Sequence, residues 1–421
     1  MPSSLNSLAE KRSPPVAFHI MAKPCGSQCN LRCDYCYYLH KKELLGPSPS
    51  GWRMSNATLE DFIRQFVEAQ AGWDVEFAWQ GGEPTLLGMD FFRKVLALQA
   101  KHQQPGQTIL NDLQTNGTLL DDEWCGFLRQ HNFLVGLSID GPKKLHDLHR
   151  RDAQGAGTFD RVMEAACRLK KHGVKFNTLT VVNHDNARSP LDVYRFISRE
   201  VGGRMMQFIP CVEPKSFRSV APQKWNPAQL PVTGSSAARP GTPDSIVTDW
   251  TVDPDDYGNF LCRVFDEWHN RDYGRKFVNL FESAVAQWMG MPAALCALAE
   301  VCGAAMAIEH DGSIYSCDHY VYPEYRLGSI GSTPLTTMAF SSKQQAFGSV
   351  KKSGNLPRYC RECRYLFACH GECPKNRLVR AQDGEPGLNY LCPGLRKFFT
   401  HIDGRICGIV KSIKEDRPYR V

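Results

Sequence analysis

Residues 16–39 read VAFHIMAKPCGSQCNLRCDYCYYL. The first eight are a short, mostly apolar run that predicts a strand. The loop that follows carries Cys29, Cys33 and Cys36. A group bound by these thiols would therefore sit at the end of a strand.

Further strands follow at regular intervals. Ser55 or Thr58 is the expected cap of a helix through TLEDFIRQFVEAQ, after which DVEFAWQ (74–80) is a strand. A helix around DFFRKVLALQAKH precedes a strand at TILNDLQTN (108–116), and a helix at DEWCGFLRQ precedes FLVGLSID (133–140). TFDRVMEAACRLKKHG is a helix stopped by Gly173, followed by the strand VKFNTLTVV (174–182). A helix near PLDVYRFISREVG and a strand at RMMQFIPC (204–211) complete the series. Strands separated by helices imply right-handed crossovers and a parallel sheet. Six units are fewer than the eight of a closed triosephosphate-isomerase barrel. The expected fold is therefore α/β, a partial (β/α)6 barrel over 16–213, with function at the carboxyl ends of its strands.

Residues 1–15 are expected to be a flexible N-terminus. The stretch 214–250 is rich in Pro, Ser and Gly and reads as a long surface loop or partly disordered insertion. Two linking helices are expected in 251–295. From 296 to 399 regular patterning fades, apart from a hairpin at AIEHDGSIYSCDHY (307–320) turning at Asp311-Gly312. Metal is expected to substitute for a hydrophobic core there, and 400–421 reads as a tail.

The chain has 421 residues, 42% apolar and 22% charged, a globular composition with room for two to three domains. No run approaches the ~20 apolar residues needed to span a bilayer. The start, MPSSLNSLAEKRSPP, lacks the apolar centre of a secretory signal. A cytoplasmic protein is expected. Fifty basic and 44 acidic residues give a net +6 without a Lys/Arg block, which favours a solvated surface over a nucleic-acid site.

Seventeen cysteines are far more than such a chain needs. In a reducing compartment clustered thiols bind metal or do chemistry. Eleven fall into two groups: Cys29, Cys33 and Cys36, and Cys296, Cys302, Cys317, Cys360, Cys363, Cys369, Cys373 and Cys392. Cys125, Cys167, Cys262 and Cys407 lie in apolar or helical stretches, where a buried small hydrophobe is expected. The amino-terminal trio is open to two readings. Zinc wants a fourth ligand, such as His40 or Cys25. A four-iron cluster held by three thiolates instead leaves one iron free for a substrate or cofactor. Eight carboxyl-terminal cysteines make two complete sets of four, which ligand count alone leaves between zinc and iron–sulfur.

The C-x3-C-x2-C loop after a strand, joined by Gly81-Gly82-Glu83-Pro84 after the second strand, resembles the radical S-adenosylmethionine superfamily. The carboxyl-terminal segment resembles the SPASM domain. Taken together, KPCGSQCNLRCDYCYYL, MSNATLEDFIRQF, WQGGEPTLLG, QTNGTLL, GLSIDGP, QFIPCVEP, DGSIYSCDHYV and NYLCPGLRKFF resemble the anaerobic sulfatase-maturating enzymes. That resemblance implies S-adenosylmethionine and three [4Fe-4S] clusters as cofactors. One cluster would be on Cys29, Cys33 and Cys36, one on Cys296, Cys302, Cys317 and Cys373, and one on Cys360, Cys363, Cys369 and Cys392. Glu83 and Ser138 are implied cofactor contacts, with Asn177 and Arg150 as further candidates; read alone, these last two are a strand-edge residue and a surface cation.

The implied reaction is oxidation of an active-site Cys or Ser of a sulfatase to Cα-formylglycine. The substrate would be an unfolded polypeptide bearing a CxPxR or SxPxR motif, and the electron donor a flavodoxin or ferredoxin. Asp318 matches the carboxylate proposed to take the side-chain proton, and a neighbouring negatively charged cluster is expected to raise its pKa. Tyr38 and Gln80 match residues near the substrate. Cys25 and the length of 214–250 depart from the pattern. Two rivals share parts of it: another SPASM peptide maturase that forms crosslinks, and a non-catalytic, zinc-stapled binding protein.

Overall fold

The computed structural model describes residues 18–46, 51–70 and 74–416. The expected flexible segment 1–15, the start of the first predicted strand and the last residues of the expected tail lie outside them. All six predicted strands form: β1 (His19–Lys23), β2 (Val75–Trp79), β3 (Ile109–Thr115), β4 (Leu134–Ser138), β5 (Phe176–Val182) and β6 (Met205–Pro210). They pair in parallel in that order, with a helix or helices in each crossover.

The β2 strand shows why the layers form. Val75, Phe77 and Trp79 alternate with Glu76 and Ala78 and are fully buried. Trp79 meets Phe62 and Phe92 edge-on, at 6.2 and 6.1 Å between centroids, on the helices Asn56–Ala69 and Met89–His102. The opposite face of the strand, ending in Gln80, lines the barrel interior. Ser55 is the helix cap, its hydroxyl accepting from Thr58 N at 3.1 Å. The predicted helix after β5 is regular over Pro190–Arg195 and then widens into a π-turn at Phe196–Val201, stopped by Gly202 at φ 81°.

The sheet continues beyond six strands. A short β7 (Phe277–Val278) follows β6, and at the other side β8 (Ala305–Glu309) pairs in parallel with β1. β9 (Ser313–Tyr315) and β10 (Arg326–Ser329) complete a ten-stranded open sheet in the order β10-β9-β8-β1-β2-β3-β4-β5-β6-β7. The hairpin expected inside the cysteine-rich region thus forms, and its first strand belongs to the barrel sheet. Almost all of β8 is buried, so it needs a neighbour on each side.

Three expectations are corrected. Of the two readings of 214–250 the long loop holds, its regular structure limited to the short turns Pro227–Gln229 and Ser236–Ala238, while the disordered one does not: Phe217, Leu230 and Val247 are buried, and Tyr322 and Tyr325 donate to Phe217 O and Pro222 O at 2.6 and 2.7 Å. Its Pro and Gly content sets its turns, while its scattered apolar residues meet the cysteine-rich region. The expected tail is, through Lys414, part of one helix, Cys392–Lys414, which buries Ile402, Ile406 and Ile409 along the helix Pro254–Arg271. Cys125 and Cys262 are buried as expected, but Cys167 and Cys407 are exposed because they fall on the outer faces of their helices. No helix of the described residues is long and apolar enough to cross a membrane.

Candidate active site

The cysteine loop leaves β1 at Lys23. Leu31 N donates to Cys29 Sγ at 3.3 Å, and Cys36 N donates to Cys33 O at 3.1 Å. The loop after β2 supports it from below, with Gln80 N, Gly82 N and Glu83 N donating to Ala22 O, Gly26 O and Gln28 O, each at 2.8 Å. Gly81, at φ 125°, takes a conformation that side chains disfavour. Burial, and then Glu83, push the Cys29 thiol up to about 12; burial is also the main cause of the rise at Cys33 and Cys36. Bare thiols here stay protonated, so a bound cation must compensate the charge when they ligate.

Among the described residues no three His, Cys, Asp or Glu side chains converge on a single metal ion. Thiolates on one zinc stand about 3.8 Å apart, given a Zn–S bond of about 2.3 Å. A multi-iron cluster separates its thiolates by its own width, and Cys29, Cys33 and Cys36 stand close enough on one loop to feel one another's charge. His40 points elsewhere, edge-on to Phe217 at 4.9 Å, and Cys25 is buried.

Glu83 lies beneath this loop. Its Oε1 accepts from Thr85 N (3.1 Å), Thr85 Oγ1 (2.6 Å) and Thr115 Oγ1 (2.7 Å), and its Oε2 from Asn116 N (2.7 Å). It joins the ends of β2 and β3, and Oε2 retains an acceptor position. Burial raises its pKa despite these bonds. Ser138 closes the carboxyl end of β4. Asn177 is level with Gly136, two residues deeper than Ser138, which pairs with Leu179. Arg150 is no surface cation. It is buried, paired with Asp140 at 3.0 Å, and its guanidinium lies 5.6 Å from the Tyr35 ring centroid.

The three residues matched to substrate chemistry meet around one group that sequence reasoning passed over, Lys23. Its ammonium is ion-paired with Asp318, donates to Gln80 Oε1 at 2.5 Å and to Met21 Sδ at 3.4 Å, and stands 4.7 Å from the Tyr38 ring centroid. Tyr37 donates to Asp318 at 2.6 Å, Tyr38 donates to Glu309, and Gln80 donates to Gln114. The expected rise of the Asp318 pKa is that of a site carrying a charged cluster; among the protein groups alone the balance runs the other way. Burial pushes the carboxyl up, but Lys23, then His319, and the bonds from Lys23 and Tyr37 hold it below the ordinary carboxylate value. A lysine ending an apolar strand was the available signal. Its partner lies at the far end of the chain, so spacing could not reveal the pair.

Further along the wall, Lys41 is fully buried over the Tyr322 ring at 3.2 Å, and burial lowers its pKa to about 7.

The carboxyl-terminal cysteines separate into two gatherings. Cys360, Cys363, Cys369 and Cys392 line one small cavity, walled by Tyr359, Leu395 and Phe399. Cys296, Cys302 and Cys317 are electrostatic neighbours of Cys373 or of one another. Between Cys369 and Cys373 the chain reverses through His370, Gly371 and Glu372 at φ 46°, 72° and 48°. That costly conformation turns adjacent cysteines toward different gatherings. Glu372 secures it by accepting from Asn376 and Asn389 at 2.9 and 2.6 Å. Lys352, fully buried, donates to Ala297 O at 2.5 Å, and Arg377 donates to Lys352 O at 2.7 Å. Two buried cations beside these thiols suit groups that carry negative charge.

Residues 24–197 match the family described as the Radical SAM superfamily, and residues 296–364 match the one described as an iron-sulfur cluster-binding domain. The chain is 45% identical to a serine-type anaerobic sulfatase-maturating enzyme of Bacteroides thetaiotaomicron, over 91% of this chain and 89% of the relative. It is 34% identical to a cysteine-type anaerobic sulfatase-maturating enzyme of Clostridium perfringens, over 95% and 100%. The solved structure of native anSMEcpe with bound AdoMet and Cp18Cys peptide is similar at TM-score 0.78 and 32% identity, over 94% of this chain and 99% of that one.

Proposed function

The chain belongs to the anaerobic sulfatase-maturating enzymes of the radical S-adenosylmethionine superfamily, and from that premise we propose how its own residues turn a sulfatase Cys or Ser into Cα-formylglycine. Cys29, Cys33 and Cys36 would hold a [4Fe-4S] cluster. Cys296, Cys302, Cys317 and Cys373 would hold a second, and Cys360, Cys363, Cys369 and Cys392 a third. When bound, the first cluster and S-adenosylmethionine would supply radical chemistry able to remove hydrogen from the substrate Cβ. Glu83 and Ser138 are the proposed contacts of S-adenosylmethionine, with Asn177 and Arg150 as further candidates.

The observation that carries this reading is the meeting of Asp318, Gln80 and Tyr38 around Lys23, at the end of the strand that leads into the three-cysteine loop. Asp318 takes the hydroxyl or thiol proton. Loss of hydrogen from Cβ makes that proton more acidic, which eases its transfer to the carboxylate. The polypeptide enters as an unfolded segment bearing CxPxR or SxPxR, at some ordering cost. A flavodoxin or ferredoxin is the proposed electron donor. The free thiols call for a reducing compartment, which supports a cytoplasmic location.

Greater similarity to the serine-type relative (45%) than to the cysteine-type one (34%) favours a seryl substrate. Paired peptides test this by mass. A seryl peptide loses two hydrogens; a cysteinyl peptide also exchanges sulfur for oxygen and releases sulfide. A crosslinked product would escape aldehyde trapping and identify another maturase. Asp318→Asn is expected to cleave S-adenosylmethionine as before and to lower formylglycine yield by about 10²–10⁴-fold, the usual contribution of a positioned base. Full yield from that variant would remove Asp318 from this role.

A further inference from the structure

We infer that Lys23 is a positioning residue for this reaction: its ammonium holds the Asp318 carboxylate, the Gln80 amide and the Tyr38 ring in one arrangement before substrate arrives. The inference rests on the function proposed above. Lys23 is 1% exposed. A buried ammonium is costly unless its donors are satisfied and its charge is paired. An ammonium has three donors. Here Asp318, Gln80 Oε1 (2.5 Å) and Met21 Sδ (3.4 Å) take them, while the positive charge lies over the Tyr38 ring at 4.7 Å. No donor remains for a substrate, so Lys23 acts through the groups it holds.

Its backbone supports the same role. Lys23 ends β1, pairs in register with Glu309 of β8, and begins the turn into the cysteine loop. Glu309 in turn accepts from the Tyr38 hydroxyl. Three residues from separate parts of the chain are thereby fixed to one strand end. With only Tyr37 donating to it at 2.6 Å, the Asp318 carboxylate would be free to swing about that single bond.

The test is Lys23→Met, which keeps most of the stem and removes the ammonium, assayed for 5′-deoxyadenosine and formylglycine separately. Cleavage of S-adenosylmethionine is expected within about twofold of wild type, while formylglycine formed per 5′-deoxyadenosine falls at least about tenfold. The loss is expected in kcat, with the peptide KM within about twofold. In an Asp318→Asn background, Lys23→Met should add less than about twofold, because the two act as one unit. Unchanged coupling, or losses that multiply, would overturn the inference. Should Lys23→Met fail to take up iron, Lys23→Gln is read by the same two criteria. A wild-type chain that makes no formylglycine overturns the functional reading itself, whereas a normal wild type with an unaffected Lys23 variant overturns this inference alone.

Discussion

Gly82 has no room for a methyl group: a Cβ there would stand 1.9 Å from Gln28 O, in the loop that carries Cys29. Because the clash is with backbone, the cysteine loop itself must move. Gly82→Ala is expected to destabilise the protein by about 1–3 kcal/mol and to lower iron bound by the first cysteine group. Calorimetry together with iron and sulfide analysis of the anaerobic protein checks both; a variant with wild-type iron and stability would contradict the account. At this scale the sequence was informative about which residue types mattered and silent about their partners. Asp318 stands out beside Cys317, and Glu83 beside two glycines. That Lys23 is the counter-ion of Asp318, or that Arg150 is buried against Asp140, follows only from the folded chain.

Strands and helices of the barrel were legible because each repeats a local pattern: alternation along β2, a capped apolar stripe along Asn56–Ala69. What periodicity lacks is pairing. Nothing in AMAIE says that β8 will lie beside β1, almost three hundred residues earlier, and nothing in a Pro- and Ser-rich stretch shows that Phe217 and Val247 will be buried. The last helix was hidden in the same way, since its apolar face is completed by the helix Pro254–Arg271. Those two helices cross where Gly258 meets Gly394: a Cβ on Gly394 would be 2.0 Å from Pro254 O. Gly394 is two residues from Cys392. Gly394→Ala should therefore push the start of the helix away, lowering the melting temperature by about 1–3 °C for a cost of about 1–3 kcal/mol. It should also reduce iron held by Cys360, Cys363, Cys369 and Cys392, leaving S-adenosylmethionine cleavage by the first site intact. Unaltered stability and iron content would show that the crossing tolerates the methyl group.

Across the whole molecule, the β1–β8 pairing does what neither cysteine group does alone. It sets the three-thiol loop after β1 next to the segment bearing Cys317 and Asp318, so that the groups proposed for hydrogen removal, proton acceptance and electron withdrawal are held by one sheet. The buried Lys352 and Arg377 among the remaining thiols provide charge that a hydrophobic core would not need. The most direct test is anaerobic reconstitution with iron and sulfide, reduction, and incubation with S-adenosylmethionine and a seryl sulfatase peptide. The account predicts 5′-deoxyadenosine and, in equal amount, a peptide lighter by two hydrogens that a hydrazide reagent captures. Intact S-adenosylmethionine after reduction, or a peptide of unchanged mass, would contradict it.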